Sequence, residues 1–374
     1  MKIKTITCHD VYNYGASLQA FALQNFLEQV GHEVQIIDYL PNKKRRRYEY
    51  KKLATTGFLH NIALYFPFLT IPMALWQNRW ELLSLGRKVN FDSFKKKFLH
   101  CTYIQYSSYE ELKERKPIAD MFIAGSDQIW NVSYENGKDP AFYCAFESNK
   151  NKCISYAASF GSDKIEIGYE DYVKQSLLHL KSISVREYSG INILKSLGLN
   201  GTQVLDPVFL LSQDMWRLMC GEKKMSNYIL IYDFLHNDYN IKKLSLLLSK
   251  KYQKKIISIN DFKPLSYADV NVNNAGPIEF LEYVSNADMV ISSSFHATAF
   301  SVIFGKQFYT FPLLGHGNSS RMRDFLNMIS LDKRFIDSFD KFDSTDIIDY
   351  DKVNLIIKEE QIKSKHWLLS QLSN

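Results

Sequence analysis

The sequence predicts an α/β protein made of two Rossmann-like domains with a cleft between them, and three observations carry that expectation. Short apolar runs that read as buried strands alternate with longer runs of helical rhythm over most of the chain. The alternation comes in two sets, one closing near residue 210 and one opening near Asn227. The segments richest in reactive side chains fall where strand-like runs stop, which is where open parallel α/β sheets bind their ligands.

Taken in order, Ile3–Thr7 reads as the first strand and leads into a helix over Ala16–Val30, where Leu18, Phe21, Ala22 and Phe26 recur at roughly 3.6 residues. Gly31 closes that helix, because glycine accepts the left-handed backbone of a C-terminal cap. Val34–Ile37 follows as a strand, and Ala119–Ala124 and Cys153–Ala157 read as buried strands. Ser182–Val185 and Gln203–Leu205 flank a helix at Tyr188–Leu197 that Gly198 caps. In the second set, Tyr228–Tyr232, Lys255–Ile259, Met289–Ser292 and Gln307–Phe311 are strand-like. The helices Ile241–Leu248, Ile278–Ser285 and Ala297–Phe304 lie between them. The expected division is a first domain over 1–210 with a basic and aromatic excursion at 43–100, and a second over 226–345. A helix within 350–374 then packs back across both.

Composition narrows the class. With 46% hydrophobic and 23% charged residues in a chain of 374, a folded protein of two moderate domains is expected. Five cysteines, odd in number and far apart, form no C-x-x-C pair or Cys/His cluster. That pattern supports neither a disulfide framework nor a metal site and fits reduced thiols. Residues 1–7 run straight into strand-like sequence without a secretory apolar core, which points to the cytoplasm. The net charge of +6 is matched by residues 43–52 alone, which hold seven basic side chains and one acid. The rest is nearly neutral, which argues against a nucleic-acid-binding face. Phe58–Trp76 is apolar and aromatic but broken by His60, Asn61, Pro67 and Pro72, so a spanning helix is not expected. The stretch 43–76 is either a peripheral contact with an anionic membrane face or a solvated loop leading into a helical excursion.

Ser292-Ser293-Ser294-Phe295-His296-Ala297 places three hydroxyls and an imidazole where a strand hands over to a helix. The first N–H groups of a helix lack intrahelical partners and sit at the positive end of its dipole, so an anion is favoured there. The imidazole adds a group that moves protons near neutral pH. Together they point to chemistry on an anionic substrate.

Six segments in order across the chain resemble the polysaccharide pyruvyl transferase family. They are Asn13-Tyr14-Gly15-Ala16-Ser17-Leu18-Gln19-Ala20, Ala124-Gly125-Ser126-Asp127-Gln128-Ile129-Trp130-Asn131, Ser155-Tyr156-Ala157-Ala158-Ser159-Phe160-Gly161, Ser184-Val185-Arg186-Glu187, Val204-Leu205-Asp206-Pro207-Val208, and Ser292 to Ala297. The resemblance implies a glycosyltransferase-B-like fold. It also implies transfer of the enolpyruvyl carbon of phosphoenolpyruvate onto sugar hydroxyls, giving a pyruvate ketal on a surface glycan or its lipid-linked precursor. By the same resemblance, Arg186 and His296 bind phosphoenolpyruvate. The family's second arginine, two residues before the histidine, is replaced here by Ser294. Arg321 or Arg323, at the next helix start, is the expected substitute.

The residues fill out that scheme. His296 suits proton delivery to the methylene carbon, or it is simply a first-turn helix residue satisfied by backbone. Arg186 suits bidentate grip of carboxylate or phosphate, or an ion pair with Glu187. Ser292, Ser293, Ser294, Arg321 and Arg323 join them as donor-binding candidates. Asp127, in a turn after a buried strand, is either the base for the sugar hydroxyl or an Asx-turn. Gln128, Trp130 and Asn131 form a polar and aromatic set suited to a sugar face. Asn13, Tyr14 and Gly15 face the acceptor, with Gly15 allowing close backbone approach. Gln19 is a ligand contact or buried structure, Asp206-Pro207 reads as a turn, and Gly315-His316-Gly317 is a loop able to form a lid. No cofactor or metal is expected, only phosphoenolpyruvate as co-substrate. Two competing readings share the fold: a nucleotide-sugar glycosyltransferase, and a non-catalytic glycan-binding relative.

Overall fold

The computed structural model describes residues 1–41, 79–221, 225–234, 236, 238–260, 263–313, 319–339, 342 and 346–373. The basic and aromatic stretch 43–76 and the Gly315–Gly317 loop lie outside the described residues.

Strands β1 (Lys2–Ile6), β2 (Glu33–Tyr39), β3 (Cys101–Tyr106), β4 (Met121–Ala124) and β5 (Cys153–Ser155) form a parallel sheet in the order β3-β2-β1-β4-β5. A short parallel pair, β6 (Ser184–Val185) and β7 (Thr202–Gln203), continues this sheet through bridges from Ile154 to Ser182 and from Ala158 to Val185. The second sheet holds β8 (Tyr228–Tyr232), β9 (Lys255–Ile259), β10 (Val270–Val272), β11 (Met289–Ser292) and β12 (Gln307–Thr310), in the order β10-β9-β8-β11-β12. Both sheets thus follow the same 3-2-1-4-5 order and reverse direction beside their first strand, the switch point at which such sheets bind ligands. Every residue of β8, Tyr-Ile-Leu-Ile-Tyr, is buried, as expected of a central parallel strand covered by helices on both faces.

The helices that position the site are α1 (Tyr14–Gln29), α2 (Leu85–Phe98), α3 (Tyr188–Ser196), α4 (Pro277–Asn286), α5 (Phe295–Ile303), α6 (Ser320–Met328) and α7 (Tyr350–Leu372). Strands β3 and β10, each at one edge of its sheet, were not expected from the sequence. β3 is buried only at alternate, irregular positions and β10 spans three residues, so neither carries the continuous apolar signal of a central strand.

The domains are fused by an apolar core that runs along α1. Tyr14 stacks on Phe280 of α4 with centroids 4.6 Å apart and planes 9° apart, and its hydroxyl donates to the Ala275 carbonyl at 3.1 Å. Behind it Trp216 meets Phe21 of α1 at 5.8 Å and Phe300 of α5 at 5.0 Å. Removing such a buried ring costs about 3–5 kcal/mol, so α1 fixes the angle at which the two sheets face each other. Helix α7 ties them a second time. The Tyr350 hydroxyl donates to the Ser301 carbonyl at one end, and the Ser364 hydroxyl accepts from Leu205 N–H near the other. Among the described residues, no helix is long and apolar enough to cross a membrane.

Candidate functional site

Parallel strands in both sheets end around one polar cluster. Arg186 directly follows β6, Asp206 follows β7, Asp127 lies just past β4, and His296 and Arg321 are second residues of α5 and α6. Asp206 is the hub. Its Oδ2 accepts from Arg186 Nη1 at 2.7 Å and from Ser126 Oγ at 3.2 Å, and His296 Nε2 lies 3.5 Å away. Its Oδ1 meanwhile accepts from Val208 N–H at 3.1 Å. Burial pushes this carboxyl up, but His296 and Arg186 outweigh it and hold the group well below the usual carboxylate range.

Arg186 is 5% exposed, and its guanidinium lies 4.3 Å above the Phe295 ring, a cation–π contact. Its Nε is 3.7 Å from Glu187 Oε2 and its Nη2 is 4.0 Å from Asp127 Oδ1. Glu187 is anchored elsewhere, accepting from Ser159 Oγ at 2.8 Å and Phe160 N–H at 2.9 Å, and burial raises its pKa. Arg321 Nη1 reaches the same Asp127 oxygen at 3.9 Å. With the Gln128 amide oxygen turned toward it, Arg321 donates to Gln128 from Nη1 at 2.7 Å and from Nη2 at 3.2 Å. Burial and the neighbouring Arg186 pull Arg321 down to about 10, which leaves it charged at neutral pH.

Several of these donors face the chain's own acids at 3.5–4.0 Å without forming a hydrogen bond. Arg186 Nε and Nη2, Arg321 Nε and His296 Nε2 are buried without a hydrogen-bond partner. Each such group costs about 1–3 kcal/mol, and although Glu187 Oε2 stands equally unpartnered beside Arg186 Nε, the cationic donors that converge here outnumber it. Helices α1, α5 and α6 also carry no acidic residue in their first turns, so negative charge at their positive ends has to come from other segments or from a ligand. A ligand with carboxylate or phosphate oxygens fits this set.

Gly15 explains how the first domain reaches the imidazole of the second. A Cβ at Gly15 would lie 1.8 Å from His296 Nδ1, so only glycine lets the start of α1 press against that ring. The close approach expected of Gly15 is thus made to a side chain.

Other expected contacts fall elsewhere. Ser292 Oγ donates to the Tyr232 carbonyl at 2.7 Å and accepts from Ser294 N–H at 3.0 Å. Ser293 Oγ accepts from Phe234 N–H at 3.0 Å, and Ser294 caps α5 by accepting from Ala297 N–H. The three hydroxyls build the turn that aims His296, each already holding a backbone partner. Arg323 is a correction: it sits over the Phe335 ring at 5.0 Å and lines a separate cavity of about 530 Å³ with Asp332, Asp337 and Asp346. Residues two apart on a helix point roughly 200° apart, so only Arg321 of the pair meets Asp127. Trp130 is a second correction, for it is 1% exposed, stacks on Tyr143 and donates to the Phe142 carbonyl at 3.0 Å. Tyr14 is a third, being part of the interdomain core. Asn131 is buried, its Oδ1 accepting from Ser133 N–H and its amide facing Gln128. Asn13 caps α1, and Gln19 donates to Thr7 Oγ1 and the Ala16 carbonyl, a structural use.

A cavity of about 860 Å³ opens at the carboxyl ends of β1 and β2, lined among others by Asp10, Tyr12, Asn13, Tyr39, Lys95 and, from the second domain, Phe234. Under it lies a trio that sequence spacing hides. His9, Asp38 and Cys101 bring ligand-type atoms within 4.8 Å of one another. Yet both ring nitrogens of His9 already face acceptors, Asp38 Oδ1 at 3.0 Å and the Thr7 carbonyl at 3.2 Å, and Lys95 Nζ sits 3.0 Å from the same Asp38 oxygen. That arrangement describes a charged imidazole in an ion network, with no lone pair turned to a metal. Burial lowers the His9 pKa, but the hydrogen bonds to Asp38 and Cys101 outweigh it and lift the group to about 9. Asp206 is the other residue underread from sequence. The Asp-Pro signal for a turn was correct, but nothing in it told that the second carboxylate oxygen holds Arg186.

Comparison with known proteins now bears on this geometry. The family model for polysaccharide pyruvyl transferase matches residues 13–313. The chain belongs to the polysaccharide pyruvyl transferase family. That match spans the Asn13–Gly15 cap, Asp127, Arg186, Asp206 and His296, and ends before α6, so Arg321 lies beyond it. A search of curated proteins finds no match. Among solved structures, S. aureus MnaA in its co-structure with UDP is similar with a TM-score of 0.51 at 12% identity, covering 96% of this chain and 87% of that one. UDP-GlcNAc 2-epimerase from Neisseria meningitidis, bound to UDP-GlcNAc, is similar at 0.46 and 12%, over 97% and 100% of the two chains. At this identity the MnaA likeness speaks for the fold alone: two Rossmann-like domains in a glycosyltransferase-B-like arrangement.

Proposed function

We propose that this family member moves the pyruvyl group of phosphoenolpyruvate onto a sugar acceptor, forming a pyruvate ketal in the synthesis of a capsular or other surface polysaccharide. The single observation that carries this reading is the group of buried donors on Arg186, Arg321 and His296 that converge without acceptors. Phosphoenolpyruvate brings a carboxylate carbon and a phosphorus three bonds apart, and two guanidinium groups suit them.

In this scheme His296 delivers a proton to the methylene carbon of the donor, and the electron-poor C2 accepts a sugar hydroxyl oxygen. The hydroxyl proton passes to Asp127. The C2–O bond to phosphate breaks, phosphate leaves toward the arginines, and a second hydroxyl of the same sugar closes the ketal, its oxygen bonding to C2 and its proton returning to His296. Asp206 holds Arg186 in place through the 2.7 Å bond, and Gly15 keeps the His296 ring from turning. The 860 Å³ cavity suits a glycan acceptor, since its rings can face sugar C–H groups and its amides and carboxylates can meet hydroxyls. The acceptor is a glycan or a lipid-linked oligosaccharide, and in the latter case the stretch 43–76 would rest on the inner membrane face.

The test is phosphate release from phosphoenolpyruvate by the purified protein in the presence of a panel of glycosides. Acceptor-dependent release that falls at least about 100-fold in Arg186→Lys supports the proposal. Folded Arg186→Ala and His296→Ala proteins that keep full activity would refute it.

A further inference from the structure

The chain places an anion of its own where the donor is expected. Asp127 Oδ1 lies 4.0 Å from Arg186 Nη2 and 3.9 Å from Arg321 Nη1. These separations allow charge attraction but exceed hydrogen-bond length. One carboxylate oxygen therefore stands between two guanidinium groups without satisfying either, and Arg186 Nη2 remains without a hydrogen-bond partner.

The other two acids of the cluster are held differently. Glu187 is fixed by Ser159 and Phe160, and Asp206 by Arg186, Ser126 and Val208, with both side chains fully buried. The Asp127 side chain is 19% exposed, and among the described residues no donor hydrogen-bonds its carboxylate. It is the one acid here that can leave the arginines without stranding a partner.

We infer that Asp127 is a displaceable placeholder, which shields Arg186 and Arg321 from each other until the donor's anionic groups take its position. The inference rests on the reading of this cluster as the donor site. Displacement frees the carboxylate at the moment it is needed. The O–H bond of the attacking sugar hydroxyl breaks, its proton goes to Asp127, and its oxygen bonds to C2 of the donor, whose C2=C3 π pair takes the proton of His296 at the methylene carbon. Donor therefore binds before acceptor, and Asp127 weakens donor binding while speeding turnover. A residue serving only as a turn would do neither.

The experiment titrates phosphoenolpyruvate into full-length wild type, Asp127→Asn and Asp127→Ser by calorimetry, with kcat measured by phosphate release. Asparagine tolerates the left-handed backbone at this position, where φ is 71°, and thermal denaturation confirms that both variants are folded. The expected result is a Kd for phosphoenolpyruvate at least about fivefold lower in both variants, with kcat reduced about 100-fold or more. If wild type binds phosphoenolpyruvate and the variants bind it equally or more weakly, the placeholder is overturned while the donor assignment stands. If no protein binds it, the donor assignment falls and takes the placeholder with it.

Discussion

Two buried charge networks lie at the carboxyl ends of the first sheet's strands, and they are finished in opposite ways. Around Asp38, each charged group has found its complement. His9 and Lys95 share Oδ1, Gln105 Nε2 donates to Oδ2 at 3.1 Å, and the second acceptor of Lys95 is Asp10 at 2.9 Å. Around Asp206 the network stays open: Arg186, Arg321 and His296 keep buried donors without hydrogen-bond partners, as does the Glu187 Oε2 acceptor. A closed network stabilises and specifies a fold. An open one, with surplus cationic donors, reserves its binding energy for something that arrives later. The difference separates a structural cluster from a candidate active site, although both centre on an aspartate that faces a histidine.

The comparison breaks or sharpens under substitution. The largest effect is expected at the open network, where His296→Gln should lower phosphate-release turnover about 10²–10⁴-fold while leaving the melting temperature nearly unchanged. Gly15→Ala follows. Its methyl would collide with the His296 ring, and a displacement near 1 Å at a reacting group costs about 100-fold, again with the chain folded.

The closed network should answer in stability and not in turnover. His9→Gln is expected to cost about 1.5–3 kcal/mol, as loss of a charged hydrogen bond does, with turnover per folded molecule unchanged by the same assay. The pH dependence follows in sign. The His9 pKa is raised to about 9 in the folded chain, so its contribution is fully present below about pH 6.5 and is lost as the pH rises through about 9. Chemical denaturation across that window should show an alkaline decline in wild type that His9→Gln lacks. On the acid side, Asp38 and Asp206 are both held below the carboxylate range. Their contribution is present above about pH 4 and is lost as the pH falls. The smallest effect belongs to Arg323→Ala, expected to stay within about 0.5 kcal/mol of wild type with activity intact, because this residue faces the other cavity.

Much of this was legible in the amino-acid order. Strands β8, β9 and β11 fall on the predicted residues, since central parallel strands are continuously apolar and sharply bounded. Strands β3 and β10 were not seen, because the one is buried at only two positions and the other spans three residues, whereas β12, also at an edge, is buried over most of its length and was. Within the site, the turns after strands were readable as places, but not the direction of each side chain. Gln128 reaches Arg321 while Trp130, two residues on, fills the core, and Tyr14 points into the interdomain stack while Gly15 touches His296. Those choices are made by packing between distant segments, which no local pattern contains. The serines at 292–294 show a related limit, as each hydroxyl at this helix start also serves the backbone.

The most direct measurement is a crystal structure of the protein with phosphoenolpyruvate. The account predicts donor oxygens about 2.7–3.1 Å from Arg186 Nη2 and Arg321, with the methylene carbon facing His296 Nε2 and Asp127 moved off both guanidinium groups. Phosphoenolpyruvate bound elsewhere, with those same donors still unpartnered, would contradict it.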